Sequence, residues 1–344
     1  MIHATPLPEM SRSRYDGALP EGLTAHVRAH VEEYGLPVED TATGLRVTYA
    51  MGVVTLDVTS AGFAVEIAAS SPDQLYNLRE SVIYLLDHVA PEASGAMRWT
   101  GVGAEGRRPP NFHLATVLEV RRVSANFLRI ELACDGIAAL SVGGMHFSLL
   151  IPPAGRTPRW PELNDKGRTV WPKEADVLHR APYTFVTLDA AAGRFSFDVY
   201  EHAGGGTTLW ARAAMPGAQV GIMGPGGGDL PPGDHLVMAG DETALPAIRR
   251  ILALSPADRR GHVFVELGDP ADICEMPRPA GMALTWVTRG QGATLWDHLE
   301  AAPLEPDTFV WVAAEQALGR RAKAHFRTRG VTAARSYLTG YWVA

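Results

Sequence analysis

The sequence predicts a multidomain chain that joins a small α-β-β-β-α domain, an antiparallel β-barrel and a C-terminal α/β domain built on a parallel sheet. Three observations support this prediction. A chain of 344 residues with 46% apolar residues has the length and the composition for several buried cores. Short strand patterns separated by turn residues run from residue 111 to residue 223. Strand patterns then alternate with helix patterns from residue 234 onward, as in parallel sheets.

The N-terminal part divides into an arm and a compact domain. Residues 1–20 are mostly polar and predict a flexible arm. Residues 21–99 predict the α-β-β-β-α domain, whose first helix runs over residues 23–34 and ends at Gly35. Three strands with one apolar face follow, and a second helix begins at the capping sequence Ser71-Pro72-Asp73-Gln74. We expect this domain to serve packing or interaction rather than chemistry.

Metal-ligating residue types are few in this chain. His26 and His30 are four residues apart on the first helix and could share a metal ion. No third ligand is evident, so a solvated helix face is the favoured interpretation. Cys134 and Cys274 are the only cysteines and lie far apart, which predicts neither a disulfide framework nor a metal cage. The sequence therefore predicts no metal centre.

The barrel is predicted over residues 111–230, after a Gly/Pro/Arg-rich linker at 101–110. Its strand patterns cover residues 114–123, 127–133, 145–151, 183–188, 195–200 and 220–223. A long polar insertion between Pro152 and His179 interrupts them. Loops of this length are usually functional or mobile, so the insertion is interpreted either as a binding loop or as a disordered flap.

One segment of the barrel region has helical character, Thr207 to Ala214, and Gly204-Gly205-Gly206 precedes it. Bare glycine backbone at a helix start offers free N–H groups and roughly half a positive charge. This arrangement suits an anionic group such as a pyrophosphate. The alternative is a plain turn before a helix that closes the barrel.

The C-terminal domain is predicted over residues 234–344, and its most informative stretch is Leu236 to Ile248. An apolar run ends at Gly240, and the following Asp-Glu-Thr can cap a helix. Strand, glycine turn and helix N-terminus together hold a phosphate or a dinucleotide in doubly wound domains. Many α/β domains contain one such turn, so this pattern alone leaves a purely structural turn open.

Charge and hydropathy exclude several classes of function. The net charge is −7, and no block of five or six Lys/Arg residues occurs, so nucleic acid and anionic membranes are unfavourable partners. The N-terminus has no apolar signal core, and no run of 18 apolar residues is present. We therefore expect a soluble cytoplasmic protein without membrane insertion.

The stretch Gly240-Asp-Glu-Thr-Ala-Leu-Pro-Ala-Ile248 resembles the nicotinamide-domain motif of the siderophore-interacting proteins, a branch of the ferredoxin-reductase-like flavoenzymes. The resemblance runs from about residue 111 to the C-terminus. It implies a flavin-binding barrel followed by an NAD(P)H-binding domain. Residues 21–99 resemble a small domain of unknown function that is often fused ahead of such proteins.

The resemblance implies FAD contacts at three places. Tyr183 and Thr184 match the family signature Arg-x-Tyr-Thr-x-Arg. The first arginine of the signature is displaced by one residue, to Arg180, and Val186 stands in place of the second arginine. Arg180 is expected to compensate from its shifted position. The second place resembles the family motif His-Gly-x-Gly-Pro-Ala-x-x-Trp-Ala, and it adds the predicted FAD contacts His202, Gly205, Gly206, Thr207, Thr208 and Trp210. The third place is the C-terminal Gly-Tyr-Trp, which adds Tyr341 and Trp342.

The NAD(P)H site implied by the resemblance lies at the carboxyl ends of the parallel strands. Its predicted residues are Gly240, Asp241, Glu242, Thr243, Ala244, Glu266 and Glu315. Glu266 and Asp269 near the adenosine ribose would favour NADH by repelling a 2′-phosphate. Arg289, Arg320 and Arg321 would favour NADPH instead, so the choice between the two nucleotides stays open.

The function that the resemblance implies is NAD(P)H-dependent, FAD-containing reduction of a ferric siderophore, with release of Fe(II). The flavin carries this chemistry, so no catalytic side chain is predicted. Cations of the insertion are predicted to attract the anionic ferric chelate, namely Arg156, Arg159, Lys166, Arg168 and Lys173. Two alternatives stay open: a general NAD(P)H:flavin or quinone oxidoreductase, and a non-catalytic ferric-siderophore binding protein. Oligomeric state and the identity of the siderophore are not predicted.

Overall fold

The computed structural model describes residues 6–19, 21–33, 36–49, 51–101 and 107–343. The chain divides into two compact units. Unit 1 contains residues 1–112 and 152–178, and unit 2 contains residues 113–151 and 179–344. Each unit has hydrophobic core clusters of its own. None of the helices among the described residues combines the length and the hydropathy that crossing a bilayer requires.

Unit 1 is built on a five-stranded antiparallel sheet in the order β1-β5-β4-β3-β2. The strands are β1 (Glu9–Asp16), β2 (Val38–Asp40), β3 (Gly44–Tyr49), β4 (Gly52–Thr59) and β5 (Gly62–Ala69). The helices are α1 (Leu23–Glu33), α2 (Pro72–Val89) and α3 (Pro91–Ala96). The three strand patterns predicted from the sequence correspond to β3, β4 and β5. Tyr34 and Gly35, the predicted end of the first helix, lie outside the described residues.

Apolar alternation explains how this sheet packs. Leu45, Leu56 and Ile67 point to one face and are 5% exposed or less. They form one core cluster with the apolar stripe of α2. The predicted start of α2 is present: Ser71 is the N-cap, and its side chain accepts a hydrogen bond from the Gln74 N–H. Local sequence signals therefore determine both the sheet face and the helix start.

The predicted flexible arm differs from the structure over part of its length. Residues 9–16 form β1 and pair antiparallel with all of β5. The inward side chains of β1 include Ser11 and Ser13, whose hydroxyls donate to the carbonyl oxygens of Thr100 and Arg98. Because these inward residues are small and polar, the strand lacks the apolar alternation by which strands are recognised in a sequence. Residues 1–5 and 20 lie outside the described residues.

The insertion at 152–178 packs with the N-terminal domain within unit 1. It contains the short strands β9 (Glu162–Leu163) and β10 (Thr169–Val170). Thr169 hydrogen-bonds with the Tyr76 hydroxyl on α2, and the Trp160 ring lies 5.5 Å from that of Phe112. The sequence predicts that this segment belongs to the barrel, because barrel strands precede and follow it. The structure places it in unit 1 through side-chain contacts that a linear sequence does not display.

Unit 2 begins with a seven-stranded antiparallel sheet in the order β11-β8-β14-β6-β7-β13-β12. Its strands are β6 (Phe112–Ser124), β7 (Phe127–Cys134), β8 (His146–Ile151), β11 (His179–Thr184), β12 (Thr187–Asp189), β13 (Arg194–Tyr200) and β14 (Gln219–Gly226). The helices of this region are α4 (Ile137–Leu140) and α5 (Gly206–Ala213). The predicted antiparallel domain is confirmed, although β11 begins at His179, earlier than the predicted strand.

The second half of unit 2 is the predicted parallel sheet, in the order β17-β16-β15-β18-β19. Its strands are β15 (His235–Gly240), β16 (Arg260–Leu267), β17 (Gly281–Thr288), β18 (Phe309–Glu315) and β19 (Ser336–Trp342). Its helices are α6 (Leu245–Leu254), α7 (Leu295–Ala301) and α8 (Gln316–Thr328). The central strand β15 is buried along its whole length, which explains its continuous apolar run.

Candidate functional site

The first part of the candidate site is the N-terminus of α5. The chain enters through Gly204, whose φ of +77° is a conformation that favours glycine. Among the described residues no side chain caps α5, and its first intrahelical bond runs from the Leu209 N–H to the Gly205 carbonyl oxygen. The N–H groups of Gly206, Thr207 and Thr208 therefore precede the hydrogen-bonded part of the helix. Such a terminus binds anions through these N–H groups and the helix dipole.

Two imidazoles lie against this helix start. A Cβ atom placed on Gly205 would lie 2.7 Å from Cε1 and Nε2 of His202. A Cβ atom placed on Gly206 would lie 2.7 Å from Cε1 and 2.9 Å from Nδ1 of His179. Nε2 of His179 also lies 2.9 Å from the Thr207 hydroxyl. The paired glycines thus leave space for both rings, and both histidines are exposed.

The predicted hydroxyl donors of α5 have internal partners. Thr207 and Thr208 are 5% and 3% exposed. The Thr208 hydroxyl accepts a hydrogen bond from the His202 N–H, and the Thr207 hydroxyl contacts His179 and Tyr183. These side chains hold the glycine loop and β11 against α5, while the backbone N–H groups provide donors for a ligand.

Strand β11 supplies the second part of the site. Tyr183 packs 5.0 Å from the Phe197 ring, and burial raises the pKa of its phenol despite an opposing hydrogen bond with Thr207. Thr184 is buried at the end of the strand, opposite His146 of β8. The pairing of β11 with β8 is regular from His179 to Thr184, so successive side chains alternate between faces. Arg180 therefore lies on the opposite face from Tyr183 and from His179.

The C-terminal aromatics contact the end of β8. The Tyr341 hydroxyl lies 3.0 Å from Nε2 of His146, and the two rings meet edge to face. Removal from water, with a smaller contribution from Arg250, lowers the pKa of His146 to about 4. His146 is therefore neutral at pH 7, and it aligns Tyr341 as a neutral hydrogen-bond partner.

The glycine turn after β15 is the nucleotide part of the candidate site. A Cβ atom on Gly240 would lie 2.5 Å from the Ala244 Cβ and 2.7 Å from the Ala313 carbonyl oxygen. Only glycine fits between β15, β18 and the start of α6. The predicted capping of α6 by Asp241, Glu242 or Thr243 differs from the structure: the N-cap is Ala244, with no side-chain cap among the described residues.

Asp241 instead organises the turn and the C-terminus. One carboxylate oxygen accepts hydrogen bonds from the N–H and the hydroxyl of Thr243. The other accepts a hydrogen bond from Nε1 of Trp342, at 2.7 Å. Asp241 is 3% exposed, so both of its oxygens bind within the protein. This contact holds the C-terminal tryptophan at the carboxyl end of β15.

Glu242 and Glu266 share one cation. Arg289 donates two hydrogen bonds to Glu242 and one, from Nε at 3.0 Å, to Glu266. Glu242 also accepts a hydrogen bond from the Gly268 N–H at 2.6 Å. These hydrogen bonds raise the pKa of Arg289. The carboxylates predicted at the ribose are therefore part of an ion-pair network that joins the ends of β15, β16 and β17.

Glu315 has a structural partner in α8. Its side chain accepts hydrogen bonds from the N–H groups of Ala317 and Leu318, so it is the N-cap of this helix. Its position at the end of β18, opposite Trp342 of β19, still places it on the strand edge predicted for the nucleotide. Nucleotide contact by Glu315 stays a prediction.

The five predicted substrate cations belong to unit 1, and Arg156, Arg159, Lys166 and Arg168 have acidic or carbonyl partners there. Arg168 donates to Asp87 and Ser94, and Lys166 donates to the Gly95 carbonyl oxygen. Arg156 and Arg159 both pair with Asp176. Lys173 is exposed and immediately precedes a short 3-10 helix. A role of these five residues in binding a ferric chelate stays a prediction.

The residues of unit 2 fit an FAD cofactor. The start of α5 offers three backbone N–H donors in a glycine cradle that a side chain would fill. Tyr183, whose phenol stays protonated because its pKa is raised, lies on the adjacent strand and is suitable for one face of an aromatic ring system. Thr184, the next residue, is buried on the opposite face of that strand. The donors named are neutral N–H groups at a helix N-terminus, which suits an anionic pyrophosphate.

The structure also identifies site residues that the sequence prediction missed. His179 contacts Thr207 and the Gly206 cradle, and His146 contacts Tyr341. Neither belongs to a motif with fixed spacing. The signal available in the sequence was the two-residue alternation of β11, which places His179 on the face of Tyr183 once the strand is extended to residue 179.

Two family models match unit 2 almost completely. Residues 116–229 match the model described as the siderophore-interacting FAD-binding domain. Residues 233–344 match the model described as the siderophore-interacting protein. The boundary between the two matches lies where the antiparallel sheet ends and the parallel sheet begins.

Individual relatives agree with the models. The chain is 32% identical over 175 residues to ferric vibriobactin reductase ViuB of Vibrio cholerae, covering 48% of this chain and 63% of the relative. It is 26% identical to the NADPH-dependent ferric-chelate reductase of Escherichia coli, over 69% of this chain and 95% of the relative. The crystal structure of the siderophore-interacting protein SipS from Aeromonas hydrophila is 29% identical, with a TM-score of 0.58 over 68% of this chain and 92% of that one.

Proposed function

Because the chain belongs to the siderophore-interacting protein family, whose FAD-binding and C-terminal models match residues 116–229 and 233–344, we propose that it is an NAD(P)H-dependent, FAD-containing ferric-siderophore reductase. The observation that carries the proposal is the presence of a pyrophosphate cradle and a nucleotide turn, at Gly206 and Gly240, in one compact unit. Two of the relatives, a ferric vibriobactin reductase and an NADPH-dependent ferric-chelate reductase, support the substrate class.

When bound, FAD would accept a hydride from NAD(P)H and pass electrons singly to Fe(III). The protein's own residues bind and orient. The N–H groups at the start of α5 bind the anionic part of the cofactor, and Tyr183 and Thr184 line β11 beside it. Gly240 leaves the end of β15 open to the nucleotide, while Asp241 holds Trp342 at the same strand end.

Reduction releases the iron from the siderophore because it lowers the charge of the ion. Fe(II) is attracted less strongly than Fe(III) to the anionic oxygen ligands of a siderophore, so reduction weakens the chelate. The reaction consumes NAD(P)H, and we place it in the cytoplasm, where that nucleotide is supplied. The proposed partners are therefore a ferric siderophore and NADH or NADPH, without nucleic acid.

The decisive test is an absorbance spectrum of the purified chain, with and without added FAD, followed by anaerobic titration with NADH and NADPH. We expect oxidised-flavin bands that bleach with one nucleotide and return when a ferric siderophore is added. Thr184→Ala should lower FAD occupancy, whereas the matched variant Thr187→Ala, on the neighbouring β12, should not. Absence of FAD uptake after reconstitution would refute the proposal and favour a binding protein.

Substrate specificity separates this function from a general reductase. Turnover of a ferric siderophore should saturate and exceed turnover of free FMN or a quinone at equal concentration. Equal rates with all three acceptors would assign the chain to the general oxidoreductases.

A further inference from the structure

We propose that unit 1 contains a binding site for a small polycarboxylate anion, formed by Arg12, Arg14 and Arg98 on the five-stranded sheet. The site is a groove of about 520 Å³, and its lining comes from β1, β4, β5 and the segment 96–100. This inference does not rest on the proposed function, because the lining residues belong to unit 1 and the predicted FAD and nucleotide residues belong to unit 2.

The groove lies on the face of the sheet that is turned away from the core. Arg12 and Arg14 alternate along β1 with buried residues, so both point to that outer face. Arg14 lies opposite Ala64 of β5, and Ala64 lies opposite Asp57 of β4. The short side chain of Ala64 therefore leaves a depression between longer neighbours, and it is the floor of the groove.

The third arginine is held beside β1 by hydrogen bonds. The buried hydroxyls of Ser11 and Ser13 donate to the carbonyl oxygens of Thr100 and Arg98 at 2.6 and 2.7 Å. Trp99 lies between these two residues and packs into the core with 5% exposure. Arg98 and Thr100 therefore point to the outer face, where both line the groove. The inward serines of β1 thus fix the segment that brings Arg98 next to the other two arginines.

The three guanidinium groups keep N–H groups for a ligand. Each is joined through one nitrogen to a carboxylate, in the pairs Arg12–Glu66 at 2.6 Å, Arg14–Asp16 at 2.6 Å and Arg98–Asp165 at 2.9 Å. The arginine side chains are 62 to 66% exposed. Exposed ion pairs of this kind contribute little free energy, and a guanidinium has five N–H donors, so an anionic ligand can bind to the same groups.

The charge of the lining favours an anion. Two carboxylates line the groove beside the three arginines. Glu66 is paired with Arg12, and Asp57 accepts a hydrogen bond from the Thr43 hydroxyl. The lining therefore has an excess of positive charge, in a chain whose net charge is −7. A local excess of this sign attracts anionic ligands.

The spacing of the arginines indicates which anion fits. Arg12 and Arg14 are two residues apart on a strand, which separates their Cα atoms by about 7 Å. Arg98 approaches from the neighbouring segment, so the three charges are spread over the groove. Guanidinium groups bind carboxylates through paired hydrogen bonds. Several carboxylates on one small molecule match this spread better than one compact phosphate, and a free polycarboxylate and its ferric complex both present such groups.

The experiment is isothermal titration calorimetry of the full-length chain at low ionic strength with citrate, with the ferric complex of citrate and with inorganic phosphate. We expect saturable binding of citrate or of its ferric complex at one site, more tightly than phosphate. The form that binds more tightly identifies the source of the carboxylates. Arg14→Gln and Arg98→Gln should each weaken this binding about three- to tenfold, because each removes a charge-assisted contact.

Two further variants separate a built site from general attraction between charges. Ala64→Leu retains all three arginines but fills the floor of the groove, and it should weaken binding at least as much as Arg14→Gln. Arg46→Gln is the matched control: Arg46 is exposed on the same sheet face, opposite Thr55, and does not line the groove. It should leave the affinity unchanged. The thermal midpoint without ligand verifies that each variant folds.

Three results would overturn the site: no saturable binding of either form of citrate, unchanged affinity in Arg14→Gln and Arg98→Gln, or equal weakening by Arg46→Gln. Phosphate binding as tight as that of citrate would overturn the assignment to polycarboxylates. FAD uptake, measured on the same preparations, reports separately on the proposed function. Its absence would refute the reductase and leave the groove of unit 1 as a binding site.

Discussion

At the scale of single residues, several polar side chains bind other protein groups at the positions where the motifs predict cofactor contacts. Asp241 binds Thr243 and Trp342, Glu315 caps α8, and Thr208 accepts from the backbone of His202. These bonds fix the loops that carry the free backbone donors. A motif residue can therefore shape a candidate cofactor site through bonds to other groups of the protein.

His146 gives a residue-scale prediction about acid stability. Its pKa is lowered to about 4 in the folded chain, compared with an ordinary value near 6.5. Between these values the unfolded chain binds a proton that the folded chain does not, so stability is complete above about pH 6.5 and decreases as the pH falls toward about 4. We expect His146 to contribute a loss of about 2 kcal/mol in the free energy of unfolding between pH 7 and 5.

Urea unfolding at the two pH values tests this expectation in His146→Gln and His88→Gln. The first variant should lose less stability on acidification than the unmodified chain. The second removes an exposed histidine and should lose as much as the unmodified chain. Equal losses in all three proteins would show that His146 titrates normally in the folded state.

At the scale of elements, the turn between β15 and α6 combines a steric and an electrostatic requirement. Gly240 allows the helix to start directly against β18, and Arg289 joins Glu242 to Glu266 across three strand ends. The buried Glu242 needs this partner because an unpaired buried carboxylate is strongly destabilising. The strand edge expected to receive the nucleotide is therefore rigidly organised.

Gly240→Ala tests the steric requirement. The added methyl group would overlap the Ala244 Cβ and the Ala313 carbonyl oxygen, at a cost of about 1–3 kcal/mol. The midpoint of thermal unfolding should fall accordingly. Gly95→Ala is the matched control, because its Cβ position in α3 has no neighbour within 4 Å among the described residues and alanine favours helix. Unchanged midpoints in both variants would contradict the close packing at Gly240.

At the scale of the whole molecule, two units with separate cores suggest separate unfolding. The core of unit 1 joins α2 to the five-stranded sheet, whereas the cores of unit 2 lie in the antiparallel and parallel sheets. The predicted FAD and nucleotide residues all lie in unit 2, and the five predicted substrate cations lie in unit 1. Cofactor binding is therefore expected to stabilise one unit.

Calorimetry with and without FAD tests this expectation. Two heat-absorption transitions should appear, and FAD at about 100 times its Kd should raise one of them by about 5 to 10 °C. Gly240→Ala should lower that same transition, whereas His88→Gln should change neither. A single transition, or an FAD shift in the transition that Gly240→Ala leaves unchanged, would contradict the assignment.

The sequence by itself determined most of the architecture. Alternating apolar residues identified β3 to β5, the continuous apolar run identified the buried strand β15, and the capping sequence at Ser71 located α2. The glycine turn at Gly240 and the glycine loop before α5 were also recognisable, because backbone shape there depends on short local stretches. The family assignment followed from these same segments, and the family models confirm it.

Tertiary structure alone decided which side chains face one another. The strand β1 contains inward serines that bond to a distant segment, and the insertion at 152–178 contacts α2 and belongs to unit 1, although barrel strands flank it in sequence. His179 reaches the start of α5 because β11 extends four residues before Tyr183, and Arg180 does not share its face. These contacts join residues far apart in the chain, and no local pattern encodes such a distance. The sequence thus determined the fold and predicted the place of the candidate site, and three-dimensional packing determined the hydrogen-bond donors and the charges there.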